Sequence, residues 1–460
     1  MADARFLDPD QIRARFSAAL SAMYRAEVPA YGALLDLVAQ VNARVLDEDP
    51  SLRDQLARSG TLERVSVERH GAIRLGTAQE LWDMRRIFAV MGMVPVGYYD
   101  LSPAGVPVHS TAFRPVGAAA LSANPFRVFT SLLRLELIED ADLRDTAARV
   151  LAGRRIFTDE ALALTARAEA EGGLTEAEAD RFVAAALETF RWHAEAKVDA
   201  ETYLRLHDAH RLIADVVSFR GPHINHLTPR TLDIDAAQRL MPAHGVAPKA
   251  VVEGPPRRAC PILLRQTSFK ALEEAVAFPD AAGRLVPGRH TARFGEIEQR
   301  GVALTPKGRA LYDRLLAEAR AIAQPAADGS NAAEYMAALE TAFAAFPDDW
   351  DSIRREGLGY FTYAPAPGCA IDAEADLDAL LAEGALLATP LVYEDFLPVS
   401  AAGIFQSNLG DHAAQAFQAS PNQQVFEAAL GAPALDEFAH YAAIEAASLK
   451  ACRAPAAATS

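Results

Sequence analysis

Glu68-Arg-His-Gly-Ala-Ile-Arg-Leu-Gly76 and Gly221-Pro-His-Ile-Asn-His-Leu-Thr228 decide how this chain is read. After His70 come Arg74, a helix signal from Thr77, then Gly92-Met-Val-Pro95 and an apolar, strand-like run. After His226 come Thr228, a helix signal from Asp233 or Asp235, then Gly245-Val-Ala-Pro248 and another such run. A histidine heading each of two copies of one βαβ-type unit implies pseudo-symmetric modules that aim imidazoles at one point. Alternate residues of a strand share a face. His70, Ala72 and Arg74 therefore point the same way, as do His226 and Thr228, while His223 faces away unless a bulge intervenes. A later run, Arg293-Phe-Gly-Glu-Ile-Glu-Gln-Arg300, offers a carboxylate. Two histidines and one carboxylate leave open positions on a metal, as oxygen chemistry requires. Glu296 and Glu298 have equal parity, so alternation does not choose between them.

Outward from these modules, the chain reads as helical on both sides. Asp8-Pro9 is an N-cap followed by proline, with Ile12, Phe16, Leu20 and Met23 at helical spacing. A second helix follows over 31–46. Thr77-Ala-Gln-Glu80 and Thr175-Glu-Ala-Glu178 are capping boxes, and Gly92 fits a helix C-terminus. Strands are expected over 64–74, 94–100, 108–114, 223–228, 249–253, 260–266 and 290–299, with further ones at Phe361-Thr-Tyr363 and Leu391-Val-Tyr393. We expect an α+β fold, an open β-barrel-like core built from two βαβββ-type modules and surrounded by helices. The expected layout is one catalytic domain, 1–460. It comprises a helical N-terminal segment (1–60), a first metal-binding module (61–136) and a helical insertion packed on the outside (137–217). A second metal-binding module (218–305) and a mixed C-terminal part (306–460) complete it.

Several histidines have blander readings. His207 and His210 lie on a surface-like helix with Asp208 and Asp215, where nothing supplies a third ligand. His109 and His244 have no supporting constellation. For Arg74 the alternatives are a salt bridge at the rim and a bidentate clamp for a substrate carboxylate, and its place two residues beyond Ala72 favours the clamp.

A formal charge of -16 argues against nucleic acid as a partner. The three cysteines, Cys260, Cys369 and Cys452, are too far apart for a CxxC site. The N-terminus carries no apolar signal core and no stretch reads as a membrane span, so a cytoplasmic protein without membrane partners is expected.

The His-x-x-x-Arg of 68–76, the run 221–228 and Arg293-Phe-Gly-Glu-Ile-Glu-Gln-Arg-Gly301 together resemble the 2-oxoadipate dioxygenase/decarboxylase family. That family, also called hydroxyglutarate synthase, is a divergent relative of the vicinal-oxygen-chelate enzymes. Tyr393-Glu-Asp-Phe-Leu-Pro-Val-Ser-Ala-Ala-Gly403 extends the resemblance over most of the chain. It implies Fe(2+) held by His70, His226 and a glutamate of Gly295-Glu-Ile-Glu298. The distant hydroxyphenylpyruvate dioxygenases end in Glu-aliphatic-x-Gln-Arg, which lies onto Glu296-Ile-Glu-Gln-Arg300 and selects Glu296. The resemblance further implies Arg74 as the carboxylate clamp and Val399 and Ser400 as substrate contacts. Its activity is 2-oxoadipate plus O2 giving 2-hydroxyglutarate and CO2, in lysine catabolism. A second reading is a metal-dependent isomerase or hydrolase of the vicinal-oxygen-chelate type acting on a small oxo acid. A third is a metabolite-binding protein without catalysis, which has no need of three converging ligands.

Overall fold

The computed structural model describes residues 6–326, 329–369, 371–372, 374–397 and 421–453. These group into two compact units. One is drawn from Met1–Val252, Gln266–Glu298 and Phe396–Leu435, the other from Glu253–Arg265, Gln299–Asp395 and Asp436–Ser460.

A five-stranded sheet organises the first unit. Its strands are β1 (Arg69–Leu75), β2 (Val94–Asp100), β3 (Val108–Arg114), β4 (Arg127–Leu133) and β5 (Leu227–Pro229), in the order β2-β3-β4-β1-β5. β1 runs parallel to β4 and antiparallel to β5. Between β1 and β2 lies the helix Ala78–Val90, opened by the Thr77/Glu80 capping box and closed before Gly92, whose φ of 66° suits a residue without Cβ. The first module is thus a βαβββ unit, its last strand being β4, which the sequence reading did not place.

The second module does not repeat it. β5 has three residues and ends at Pro229, which has no N–H to extend a ladder. The strand expected over 249–253 does not form: Pro248 makes only an isolated bridge to Phe269, and Gly254-Pro-Pro256 follows at once. What remains are β6 (Leu264–Ser268) paired with β9 (Glu296–Arg300) and a β7–β8 hairpin (Glu273–Pro279, Leu285–Thr291). The fold is α+β with open sheets, and among the described residues no barrel closes.

Helices pack on the sheet through the faces their spacing marks. Ile12, Phe16, Leu20 and Met23 of Pro9–Glu27 are all buried in the core with Phe88, Phe113 and Phe126. The insertion holds helices Ala141–Ala152, Asp159–Glu171, Glu176–Leu187, Ala200–Ala209 and Arg211–Ser218. The last of these does not lie outside: Leu212 through Ser218 are all buried, Asp215 included. In the second unit the helix Pro306–Ile322 packs on Ala332–Phe343. β10 (Phe361–Pro365) pairs with β11 (Leu386–Pro390), against the helix Glu437–Arg453. The strand expected at 391–393 is therefore displaced to the residues before Leu391, and Val392 makes only an isolated bridge. No helix among the described residues is long and apolar enough to cross a membrane.

Arg13 ties three elements together from inside the core. Fully buried, it donates to the carbonyls of Asn124 (2.8 Å), Met91 (2.8 Å) and Ala120 (2.7 Å) at two helix C-termini. Arg13→Met strands these acceptors, so chemical denaturation should show a loss of about 3 kcal/mol or more.

Two histidines set a pH dependence. Burial pushes His109 down to about 4 and His210 down to about 4, and His210 Nδ1 accepts the Leu212 N–H. Both stay neutral when folded, whereas the unfolded chain takes up protons below about 6.5. Their contribution to stability is therefore complete above that pH and is lost between it and about 4. Urea titrations at about pH 5.5 should show a loss to which His109 contributes on the order of 1 kcal/mol, a contribution that His109→Phe removes.

Candidate metal centre

The register of the sheet assembles the site. His70 is paired across β1 with Arg127 on β4 and with Thr228 on β5. Beside it, a Cβ on Gly71 would lie 2.6 Å from Ile224 Cδ1 and 3.1 Å from the His226 carbonyl. A side chain there would crowd Ile224 and the His226 carbonyl, so glycine eases the close approach of residues 222–226 that presents His226. Glu296 and Glu298, on β9, reach the same point from the second module.

His70, His226 and Glu296 converge, with one ligand atom from each lying within 4.8 Å of the others, and all three are fully buried. His70 Nε2 is 3.0 Å from Glu296 Oε1, and His226 Nε2 is 3.9 Å from that oxygen. Thr228 Oγ1 (3.1 Å) and Gln266 Nε2 (2.9 Å) donate to Glu296 Oε1 and fix the carboxylate, while Oε2 has no hydrogen-bond partner. Glu298 takes the other edge of the imidazole, with Oε2 3.0 Å from His70 Nδ1. The parity that Glu296 and Glu298 share is thus resolved by reach: one faces Nε2 and His226, the other faces Nδ1.

The electrostatics favour a bound cation. Burial works against protonating His70, but Glu298 and Glu296 outweigh it and raise its pKa. Burial, with His70 beside it, holds His226 well below the ordinary imidazole value, so it stays neutral with a lone pair to offer. Neither ring nitrogen of His226 has a hydrogen-bond partner. Orphaned buried groups of this kind are rare unless something else satisfies them. Phe396 (5.0 Å from His70) and Phe294 (4.7 Å from His226) wall the site with apolar rings. Two neutral-capable imidazoles and a carboxylate in a dry shell fit a divalent transition metal with open positions.

Beyond this triad lies a second cluster around Asp215. Arg74 Nη1 donates to Asp215 Oδ2 at 2.5 Å, His290 Nε2 lies 3.0 Å from Oδ1 and His223 Nε2 3.4 Å. Burial alone drives such a carboxyl up, but His223, Arg74 and His290 hold it well below the usual carboxylate range. Burial also pushes His223 down to about 3. Tyr203 lies 2.8 Å from His290 Nδ1. The hydrogen-bond network orients the Asn225 amide with its oxygen 2.9 Å from Arg74 Nη1 and its nitrogen on the Ala72 carbonyl. Arg74 therefore has an ion pair, one of the two readings its position allows. His223 points to Asp215 and not to the triad.

Sequence reasoning placed Asp215 on a solvated face. Its setting in Ile213-Ala-Asp-Val-Val217, a carboxylate inside an apolar helix, was the available signal. Gln266, His290 and Arg127 carried none. His207 is exposed, as expected. Val399 and Ser400 lie outside the described residues.

The buried His70, His226 and Glu296 form a candidate metal site of two imidazoles and one carboxylate. The family model for 2-oxoadipate dioxygenase/decarboxylase matches residues 16–408. The 2-oxoadipate dioxygenase/decarboxylase of Pseudomonas putida is 60% identical over 452 residues, 97% of either chain. Its Escherichia coli counterpart is 55% identical over 98% of this chain and 99% of its own. The crystal structure of the Pseudomonas putida hydroxyglutarate synthase in complex with 2-oxoadipate matches with a TM-score of 0.90 at 58% identity. That match covers 97% of this chain and 98% of the other. The chain belongs to the 2-oxoadipate dioxygenase/decarboxylase family.

If the triad holds the metal, elemental analysis of the purified protein should give one divalent transition metal per chain, and His226→Ala close to none. Glu296→Ala should also lose it. Retention of metal by Glu296→Ala would contradict the ligand choice.

Proposed function

We propose that this chain converts 2-oxoadipate and O2 into 2-hydroxyglutarate and CO2, with Fe(2+) held by His70, His226 and Glu296. The observation that carries this reading is the buried His-His-Glu set in a chain 60% identical to a protein of that named activity. A ferrous ion bound there supplies the open coordination positions and the electrons that dioxygen chemistry needs.

The chain's own residues do the rest. His226, kept neutral by burial, and His70 present ring nitrogens to the ion, and Thr228 and Gln266 aim the Glu296 carboxylate. Phe396 and Phe294 exclude water from the reacting groups. Arg74 binds a substrate carboxylate with the guanidinium that Asp215 and Asn225 hold in place, and so sets which carbon faces the metal. We assign Val399 and Ser400 to the substrate-contacting segment. The balance of the reaction is internal. The C1–C2 bond breaks, C1 leaves as CO2, the keto carbon becomes a carboxylate and a neighbouring carbon gains the hydroxyl, so both oxygen atoms of O2 remain on the product. The substrate is its own 2-oxo acid, and no second one is required.

An oxygen electrode tests this directly: iron-loaded protein should consume O2 on addition of 2-oxoadipate and release CO2 in equal amount. No consumption would sink the assignment. Arg74→Ala should raise KM for 2-oxoadipate about 10–100-fold at unchanged metal content, the weight of a charge-assisted pair.

A further inference from the structure

We infer that Glu298 is a positioning residue for the metal centre: from the end of a buried charge ladder it selects which nitrogen of His70 faces the metal. The inference rests on the metal reading of the triad and adds residues to it. Glu298 Oε2 lies 3.0 Å from His70 Nδ1, on the opposite edge of the ring from Glu296 and His226. Glu296 and Glu298 face the two ring nitrogens at the same 3.0 Å; with an ion taking the Nε2 lone pair, the ring proton sits on Nδ1, where the Glu298 carboxylate is placed to accept it.

Glu298 is itself held. Its backbone carbonyl accepts the Thr231 N–H at 2.7 Å. Its second carboxylate oxygen is 3.5 Å from Arg127 Nη1. Arg127 Nη1 also donates to Glu68 Oε1 (2.9 Å), and Glu68 Oε2 meets Arg230 Nη1 (3.0 Å) and Arg64 Nε (3.4 Å). Glu298, Glu68 and Arg127 are fully buried, and Arg64 and Arg230 nearly so. Apolar residues of similar volume would join these elements as well as a desolvated ladder does. What they could not do is deliver a carboxylate to His70. The sheet register gives the ladder its aim, because Arg127 is the β4 partner of His70.

Glu298→Gln separates this role from packing. Arg127 only donates, so it claims the new amide oxygen and leaves the NH2 facing His70 Nδ1. The proton then moves to Nε2, and the lone pair is lost to the metal. Anaerobic titration with Co(II) against a chromophoric chelator reads the consequence. Glu298→Gln should bind Co(II) about 10–100-fold more weakly than wild type and shift its ligand-field bands, and Glu298→Asp should recover part of both. Arg127→Lys, which keeps the charge but not the fork, should weaken binding in the same direction. It serves if Glu298→Gln does not fold. Wild-type Co(II) affinity and spectrum in either variant overturn the inference and leave the triad standing. Failure of the wild-type protein to bind Co(II) or Fe(II) overturns the triad and this inference with it.

Discussion

One imidazole stands between two buried carboxylates, and most of the first unit is arranged to keep it there. Glu296 faces one edge of His70 and Glu298 the other, both at 3.0 Å and all three out of contact with solvent. Charges so placed cannot be left unbalanced at a cost of several kcal/mol per ion. The protein answers on one side with Arg127 and the ladder behind it. On the other side, in the proposed reading, a metal ion held by His226 and Glu296 supplies the balance. The register of β1 is the constraint beneath this. It sets His70 between Arg127 and Thr228, and a slip of one residue would turn His70 and Arg74 away together.

Four residues along the same strand, a separate charge centre is built on different logic. Arg74 is ion-paired with Asp215 on a helix that penetrates the interior, and Asp215 is in turn bonded to His290, whose other ring nitrogen meets the Tyr203 hydroxyl. A dicarboxylate needs two positive anchors, and a chain of net charge -16 attracts no anion unaided. In the proposed reaction the metal is one anchor and Arg74 the other, about 13 Å apart along the backbone of β1. The side chains that extend from His70 and Arg74 determine how much of that span the substrate must bridge. Asp215 prevents Arg74 from lying buried without a partner before substrate arrives, which would be costly for the folded state.

The two histidine-headed runs were legible because strand alternation and capping are local rules. Thr77/Glu80 opens its helix, β2 and β3 fall where alternation puts them, and Ile12 through Met23 face the core. His70 and His226 converge as their repeat implied. The repeat was less complete than its motifs suggested, because Pro229, Pro248 and Gly254-Pro-Pro256 withdraw the donors a second sheet would need. Glu296 over Glu298 could not be read from parity, since both point to the same face. Only the position of the imidazole edge-on between them tells the two apart. Arg127 and Asp215 were hidden for a related reason. Their roles depend on a parallel pairing and on a buried helix, both set by tertiary packing, with only the apolar neighbours of Asp215 to hint at either.

The central claim is that His70, His226 and Glu296 enclose one metal ion. Anomalous diffraction at the iron edge, from crystals loaded anaerobically with Fe(II), tests it most directly. The account predicts a single peak bonded to His70 Nε2, His226 and Glu296, with Glu298 on the Nδ1 side and outside the coordination shell. A peak ligated by Glu298, or none at the triad in iron-replete crystals, would contradict it.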